Sequence, residues 1–264
     1  RGGSEMGRRG RRGGAWLVSW AWRGGRGGGR GRGFVMGIGY RWRRLYPIYG
    51  KIAGVYDRTS RVVTLFLIDG WRRSMVGEVA RIMPPGSRVL DAGAGPGTMS
   101  LLLLSMRRDV DLLLVDQSID MIRMAPRDLD RVVASFEEPP LRDSSMDAVI
   151  MGFSLHASHD LATAVNALWR VLRPGGVLGS INIGHPDGAV MSWLGHLYTM
   201  YVIPLLAFLV AGRRNASYFR EINTIYDSMP PNSKLRELME TRFRTVKWTS
   251  RGLGTVFEYV GIKA

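Results

Sequence analysis

Two hydrophobic patterns alternate along residues 88–183. Arg88–Ala92 is a short apolar run that reads as a strand, and Thr98–Met106 follows it as a helix. Val110–Val115 reads as a second strand, Ile119–Met124 as a helix, Arg131–Ala134 as a third strand and Ala148–Met151 as a fourth. Leu161, Val165, Leu168 and Leu172 recur at helical spacing within His159–Leu172. Pro174-Gly175-Gly176 is expected to stop that helix before a strand over Val177–Ile183. Strands that alternate with helices predict an α/β fold with a mostly parallel, doubly wound sheet.

Both flanks depart from this rhythm. Residues 45–83 are rich in Leu, Ile, Val and aromatics and read as a helical N-terminal extension that ends at Pro84-Pro85-Gly86. After a helix over Ser233–Thr241, apolar runs at 243–249 and 254–262 are separated by Arg251-Gly252-Leu253 and predict an antiparallel ribbon at one sheet edge. Between these parts, Trp193–Gly212 is apolar over a length that suffices to span a bilayer. Pro204 interrupts it and His196 lies inside it, so an apolar lid or membrane-dipping helix pair is the preferred expectation. Residues 36–264 are thus expected to form one domain with a lid insertion at about 187–230.

Composition removes several kinds of chemistry. The 264 residues include no cysteine, so disulfides, thiolate nucleophiles and thiolate metal sites are excluded. The four histidines form no His-x-x-x-His pair, and no metal site is expected. The net charge of +15 is concentrated at one end, where residues 1–35 hold nine arginines against the single acid Glu5. That Gly/Arg-rich stretch is expected to be disordered, because glycine loses too much backbone entropy on folding. It reads either as an RGG-like arm that stacks on RNA or as sequence upstream of a true start at Met36.

Candidate chemistry gathers at the strand ends. Gly93, Gly95 and Gly97 follow a predicted strand and open a helix, as a nucleotide-binding loop requires. Their Gly-x-Gly-x-Gly spacing differs from the Gly-x-Gly-x-x-Gly dinucleotide fingerprint. Asp91 ends the first strand, where it can hold the loop and meet the amino-acid end of a cofactor through water. Asp116 ends the second, where a carboxylate can accept two hydrogen bonds from a ribose diol. Ser135 and Phe136 end the third and can frame an adenine; Gly152 and Phe153 end the fourth, where substrate and cofactor would meet. Ligand groups at successive carboxyl ends of strands follow the rule for open α/β sheets.

Four stretches carry a more specific resemblance. They are Ile52-Ala53-Gly54-Val55-Tyr56-Asp57 with Trp71-Arg72-Arg73; the glycine loop with Val115-Asp116-Gln117-Ser118 and Met121; Ser144–Leu155 with Trp169–Gly176; and Tyr198, Val202-Ile203-Pro204, Tyr218 and Met229-Pro230. Over about residues 45–263 the chain resembles the UbiE/MenG-type ubiquinone/menaquinone-biosynthesis C-methyltransferases, a branch of the class I S-adenosylmethionine-dependent methyltransferases. The resemblance implies a Rossmann-like seven-stranded sheet with an antiparallel last strand, and S-adenosylmethionine as cofactor. It implies that Tyr56, Asp91, Gly93, Ala94, Gly95, Gly97, Ser100, Asp116, Gln117, Met121, Ser135, Phe136, Gly152 and Phe153 line the cofactor site. The acceptor it implies is a hydrophobic small molecule, a prenylated quinol, handled by a cytoplasmic enzyme with room for peripheral membrane contact.

This chain departs from the family in two places. Ser135-Phe136 stands where the family usually has Asn-Ala or Asp-Ala. Phe153-Ser154-Leu155-His156-Ala157 stands where the quinone enzymes read Phe-Gly-Leu-Arg-Asn, so His156 replaces the arginine implicated in handling the quinol. Activating a phenol calls for a base whose pKa lies near neutral, and His156 is the candidate, with His159 and His185 as competitors. Methylation of another lipid or small molecule, a phospholipid amine or a phenol, stays open. An RNA-modifying enzyme is less favoured and no specific nucleic-acid partner is expected, since no Asp-Pro-Pro-Tyr or Asn-Pro-Pro-Tyr follows the fourth strand.

Overall fold

A computed structural model describes residues 58–219 and 221–264. Tyr56, residues 1–35 and the 45–57 part of the expected helical extension lie outside the described residues.

A helix, α1 (Ile68–Ile82), leads into β1 (Arg88–Ala92), α2 (Thr98–Met106), β2 (Asp111–Asp116), the short α3 (Ile119–Ile122), β3 (Asp130–Val133) and β4 (Met146–Gly152). Then come α4 (Leu161–Val171), β5 (Leu172–Ile183), α5 (Ala189–Leu197), α6 (Ile203–Phe219), α7 (Glu221–Ser228), α8 (Asn232–Glu240), β6 (Phe243–Arg251) and β7 (Val256–Lys263). The described residues form one seven-stranded sheet in the order β3-β2-β1-β4-β5-β7-β6. The first five strands run parallel, and β7 is antiparallel to both its neighbours. The order reverses between β1 and β4, which sets the ligand crevice above their carboxyl ends. Both strands are buried along nearly their whole length because helices cover both sheet faces. One core layer packs α4 and α8 on the sheet around Leu168 and Met239, and the other packs α1 and α2 around Val79 and Leu103.

The helix over His159–Leu172 ends at Val171, and Pro174-Gly175-Gly176 separates it from the regular strand over Val177–Ile183 as expected: Gly175 has φ +78°, and the pairing of β5 with β4 passes from Leu172 to Val177. Arg173 is pushed toward extended backbone by the proline that follows it. The Lys263 ammonium closes the helix end by donating to the carbonyl oxygens of Trp169 and Leu172 at 2.8 and 2.6 Å.

The expected break at Pro204 falls differently. The chain does not form a helix pair broken there. A π-helical turn at Tyr198–Val202 joins α5 to α6, and Pro204 follows it directly, where the locally altered hydrogen-bond pattern lets the helix run on past the proline. The real departure from helical geometry comes later, at Gly212 with φ +76°. The helix over Ala189–Gly212 has a mean hydropathy of 1.8 and is long and apolar enough to cross a membrane. One side of it packs on the protein, where Ile203 and Ala207 meet Val63, and the Tyr198 hydroxyl donates to the Val63 carbonyl at 2.7 Å.

Candidate functional site

The glycine loop is held by backbone that only glycine adopts easily. Gly93, Gly95 and Gly97 have φ of +72°, +52° and +83°. Gly93 also has no room for a side chain: a Cβ there would lie 2.4 Å from Ser154 Cβ. Ser154 is fixed in turn, its hydroxyl donating to the Ala92 carbonyl at 2.8 Å, so the ends of β1 and β4 lock together beneath the loop. The N–H groups of Gly93 and Ala94 donate to the Val115 carbonyl, which ties the loop to β2.

Two carboxylates shape this turn. Asp91 is fully buried; its Oδ2 accepts from the Ser100 amide and hydroxyl at 3.1 and 2.7 Å. Its Oδ1 has no hydrogen-bond partner. Burial pushes the Asp91 carboxyl up to about 7, against the two Ser100 hydrogen bonds that favour its charged form. Asp116 accepts from the Gly95 amide at 2.8 Å and the Ser118 amide at 2.7 Å, one on each oxygen. A carboxylate has about four lone-pair sites, so each oxygen retains acceptor capacity for a diol. Burial raises this carboxyl as well, opposed by those two amides.

The other expected residues divide. Ala94 and Ser100 are buried in the loop and the helix it opens; Met121 packs under it, 3.4 Å from where a Gly95 Cβ would stand. Gln117 is half-buried beside Asp116, and Ser135 accepts from the Glu137 amide at 3.1 Å. Phe136 is not an open face for an adenine: its ring is buried in the core below Gly93. A benzyl group two residues past the end of β3 gains more from the apolar layer between strand and helix than from a solvated crevice. Gly152 is crowded by Met99, 2.6 Å from where a Cβ would point. Phe153 has φ +53°, which turns its ring toward a cavity above β4.

That cavity, of about 440 Å³, lies between the strand ends and the helical layer. Its walls are apolar: Ile68 and Trp71 from α1, Leu194 and Tyr198 from the long helix, and Ile222, Ile225 and Tyr226 from α7. Phe153 and His156 line it from the β4 side, and Arg72 lines it from α1. His156 lies in a 3₁₀ turn, Leu155–Ala157, that the Asn182 side chain anchors by accepting from the Leu155 amide at 2.8 Å. It does not cap the following helix; Asp160 does, accepting from Thr163. Burial lowers the His156 imidazole to about 4.

The competing histidines sit elsewhere. His159 is exposed, with Nδ1 2.9 Å from Glu137. His185 stacks on Tyr226 at 4.8 Å and meets the Ser192 hydroxyl, outside the cavity lining. Arg72 was legible only as part of a shared motif, yet it occupies the buried stripe Ile68, Arg72, Met75, Val76, Val79 of α1. A charged residue in phase with that stripe is the signal that marks it.

Comparison with known proteins adds a finding of its own. Residues 40–263 match the ubiE/COQ5 methyltransferase family. The chain is 29% identical over 224 residues to a demethylmenaquinone methyltransferase of Roseiflexus castenholzii, covering 82% of this chain and 92% of that one. It is 26% identical over 226 residues to a ubiquinone/menaquinone biosynthesis C-methyltransferase UbiE of Syntrophotalea carbinolica, covering 83% and 93%. A solved SAM-dependent methyltransferase from Aquifex aeolicus shares the fold with a TM-score of 0.53 at 16% identity, covering 78% of this chain and 93% of that one.

Proposed function

The chain belongs to the ubiE/COQ5 methyltransferase family and is an S-adenosylmethionine-dependent methyltransferase, and on that premise we propose that it methylates a ring carbon of a prenylated quinol. The carrying observation is the apolar cavity of about 440 Å³ whose wall includes both Phe153, at the end of β4, and His156. An aromatic head with an isoprenoid tail suits such walls, whereas the ammonium of a zwitterionic headgroup would find no carboxylate among the described lining residues.

When bound, the cofactor supplies a methyl on a cationic sulfur that leaves as a neutral thioether, so no acid is needed. Asp91 and Asp116, with the loop of Gly93, Ala94, Gly95 and Gly97, are the residues proposed to hold it; Ser100 fixes Asp91, and Met121 and Gln117 support the turn. The orphaned Asp91 Oδ1 fits a cationic amino-acid end. The helical layer excludes water and aligns the acceptor carbon, which is the main requirement of an in-line transfer. His156 takes the proton of the acceptor's hydroxyl, which enriches the ring carbon that forms the new bond. Purified protein with labelled cofactor should label demethylmenaquinol and leave phosphatidylethanolamine unlabelled. Labelling of the amine alone would overturn this reading.

Asp91 makes cofactor binding pH-dependent. Without cofactor its carboxyl holds a proton up to pH about 7, while in the unfolded chain it ionises near 3.8. The folded protein therefore binds the extra proton between those values, and stability falls as pH rises through that window, by about 4 kcal/mol in total. A cofactor ammonium favours the ionised form. Affinity for S-adenosylhomocysteine is expected to be level above pH 7 and to fall by up to about tenfold per unit below it. Calorimetry in buffers of different ionisation enthalpy should find a proton released near pH 6, and none in Asp91→Asn.

The mouth of the cavity carries exposed apolar side chains. Leu65 and Phe66 are 65% and 69% exposed on a turn with positive φ, and Leu253 is 72% exposed on another. Tyr201, Leu205, Phe208 and Leu209 are exposed on the long helix. Such a rim suits peripheral contact with a lipid surface, through which a water-insoluble acceptor reaches the cavity; the insertion at about 187–230 is then its lid. Leu205→Asp with Leu209→Asp should weaken partition onto phosphatidylglycerol vesicles by at least about tenfold, at unchanged S-adenosylhomocysteine affinity. Unchanged partition would remove the membrane part of the proposal.

A further inference from the structure

The cavity is mostly apolar, and its charged groups are few. Among the described residues lining it there is no carboxylate and no lysine, and Arg72 is the one permanent cation. Arg72 is 6% exposed, an unusual setting for a guanidinium, which is almost always solvated unless its surroundings or a ligand give it a task. Its guanidinium carbon stands 5.6 Å from the centre of the Phe153 ring. Phe153 reaches that position through a backbone φ of +53°, a conformation that costs a non-glycine residue energy and clusters at working sites. Cation, strained aromatic and His156 thus border the same space, next to the strand end that carries Ser154 and the glycine loop.

We propose that Arg72 is a positioning and specificity residue that holds the acceptor's ring oxygen as an oxyanion, so that the enzyme selects aromatic acceptors bearing an ionisable hydroxyl. The inference rests on the reading of the cavity as the acceptor site. A guanidinium presents N–H donors in a planar fork and cannot lose its proton, so it lowers the free energy of an adjacent oxyanion at every working pH. The hydroxyl proton passes to the His156 imidazole, and the electron pair left on oxygen feeds the ring carbon that attacks the methyl. The described lining holds no carboxylate, so the Arg72 charge acts on that oxygen with less screening than it would in water. The Phe153 ring lies within cation–π reach of the guanidinium and borders the cavity beside it.

Among the described residues, the ionisable groups near this pair come from α1 and from the elements that face it. Asp69 lies on the same helix with Oδ1 3.7 Å from Arg72 Nη1, and its Oδ2 is engaged by Arg61 at 2.8 Å. From the facing elements come His156 and the hydroxyls of Tyr198 and Tyr226, which donate to the Val63 and Ser192 carbonyls. Burial holds both tyrosines above their ordinary values, so they remain neutral.

The test uses 1-naphthol, whose ionisation is visible in its absorption, bound to the full chain saturated with S-adenosylhomocysteine. Bound naphthol is expected to ionise about 1–2 pH units below its free value. Arg72→Lys should keep most of that shift and Arg72→Met should abolish it, with S-adenosylhomocysteine affinity unchanged in both. With demethylmenaquinol, the rise of kcat/KM with pH should move upward by the same 1–2 units in Arg72→Met. Failure of naphthol to bind, or ionisation at the same pH in wild type and Arg72→Met, overturns the proposal. A naphthol shift without methylation of the quinol would retire the quinone reading and leave the oxyanion site standing. Methylation without the shift would do the reverse.

Discussion

Gly93→Ala is expected to cost the protein both cofactor binding and stability, with S-adenosylhomocysteine affinity falling about a hundredfold or more. Two effects add. The backbone at Gly93 has φ +72°, which strains any side-chain-bearing residue by about 1 kcal/mol or more. The new Cβ would also stand 2.4 Å from Ser154 Cβ, a contact that forces one of the two strand ends to move. Ser154 cannot yield easily, because its hydroxyl is committed to the Ala92 carbonyl. Overpacking of this kind costs about 1–3 kcal/mol, giving a combined loss of about 2–4 kcal/mol in denaturant unfolding. Gly86→Ala is the matched control: φ is +70° there too, but nothing lies within 4 Å of the added Cβ. It should cost only the backbone strain and leave binding intact. Adding Ser154→Gly to Gly93→Ala removes the clashing atom and should recover part of the affinity, a coupling measurable as a double-mutant cycle. Equal losses in Gly86→Ala and Gly93→Ala, or no recovery in the double variant, would show that close packing at this corner does not govern the loop.

The parts of this fold that a sequence discloses are those fixed by local pattern. Each strand from β1 to β5 was visible as a short apolar run, and Asp91, Asp116 and the glycines were visible as stations at strand ends because parallel strands deliver their ends to one side. What was not visible depends on partners far along the chain. Phe136 reads as a cofactor platform from its position after β3, but tertiary burial takes it into the core. Pro204 reads as a breaker, yet a π turn ahead of it lets one helix continue, and helical periodicity does not announce an extra residue in a turn. The end of α4 is set by Lys263, some 90 residues later, which no local rule contains. The apolar cavity arises where α1, the long helix, α7 and the β6–β7 turn meet, so its existence is a property of packing rather than of any segment. Arg72 is the intermediate case: its phase with Ile68, Met75 and Val79 was readable, and only the assembled cavity gives that phase a meaning.

His156→Gln is the second large effect, an expected fall in kcat of about 10²-fold or more with S-adenosylhomocysteine affinity unchanged. The imidazole is 2% exposed in apolar surroundings, and that burial lowers it to about 4, so it is neutral throughout the working range. A neutral imidazole can accept the hydroxyl proton of an acceptor, whereas an ordinary exposed histidine would be half protonated near pH 6.5. Activity should therefore show no loss from this group between pH 8 and 5, and a limb only below about 5. So weak a base takes a phenolic proton only if the imidazolium and the oxyanion form together, each stabilising the other in a poorly screened cavity. Stability gives an independent check on the same group. The unfolded chain takes up a proton at this position near pH 6.5, the folded chain only near 4, so the folded state loses about 3 kcal/mol relative to the unfolded as pH falls through that window. The Gln variant has no such loss. Its stability relative to wild type should thus improve by about 3 kcal/mol between pH 7 and 4, because every other titrating group is shared. A kcat within about tenfold of wild type would remove His156 as the base even if the stability difference holds. A stability difference that stays flat with pH would instead show that the imidazole titrates normally, and the absence of a limb from this group between pH 8 and 5 would then need another cause.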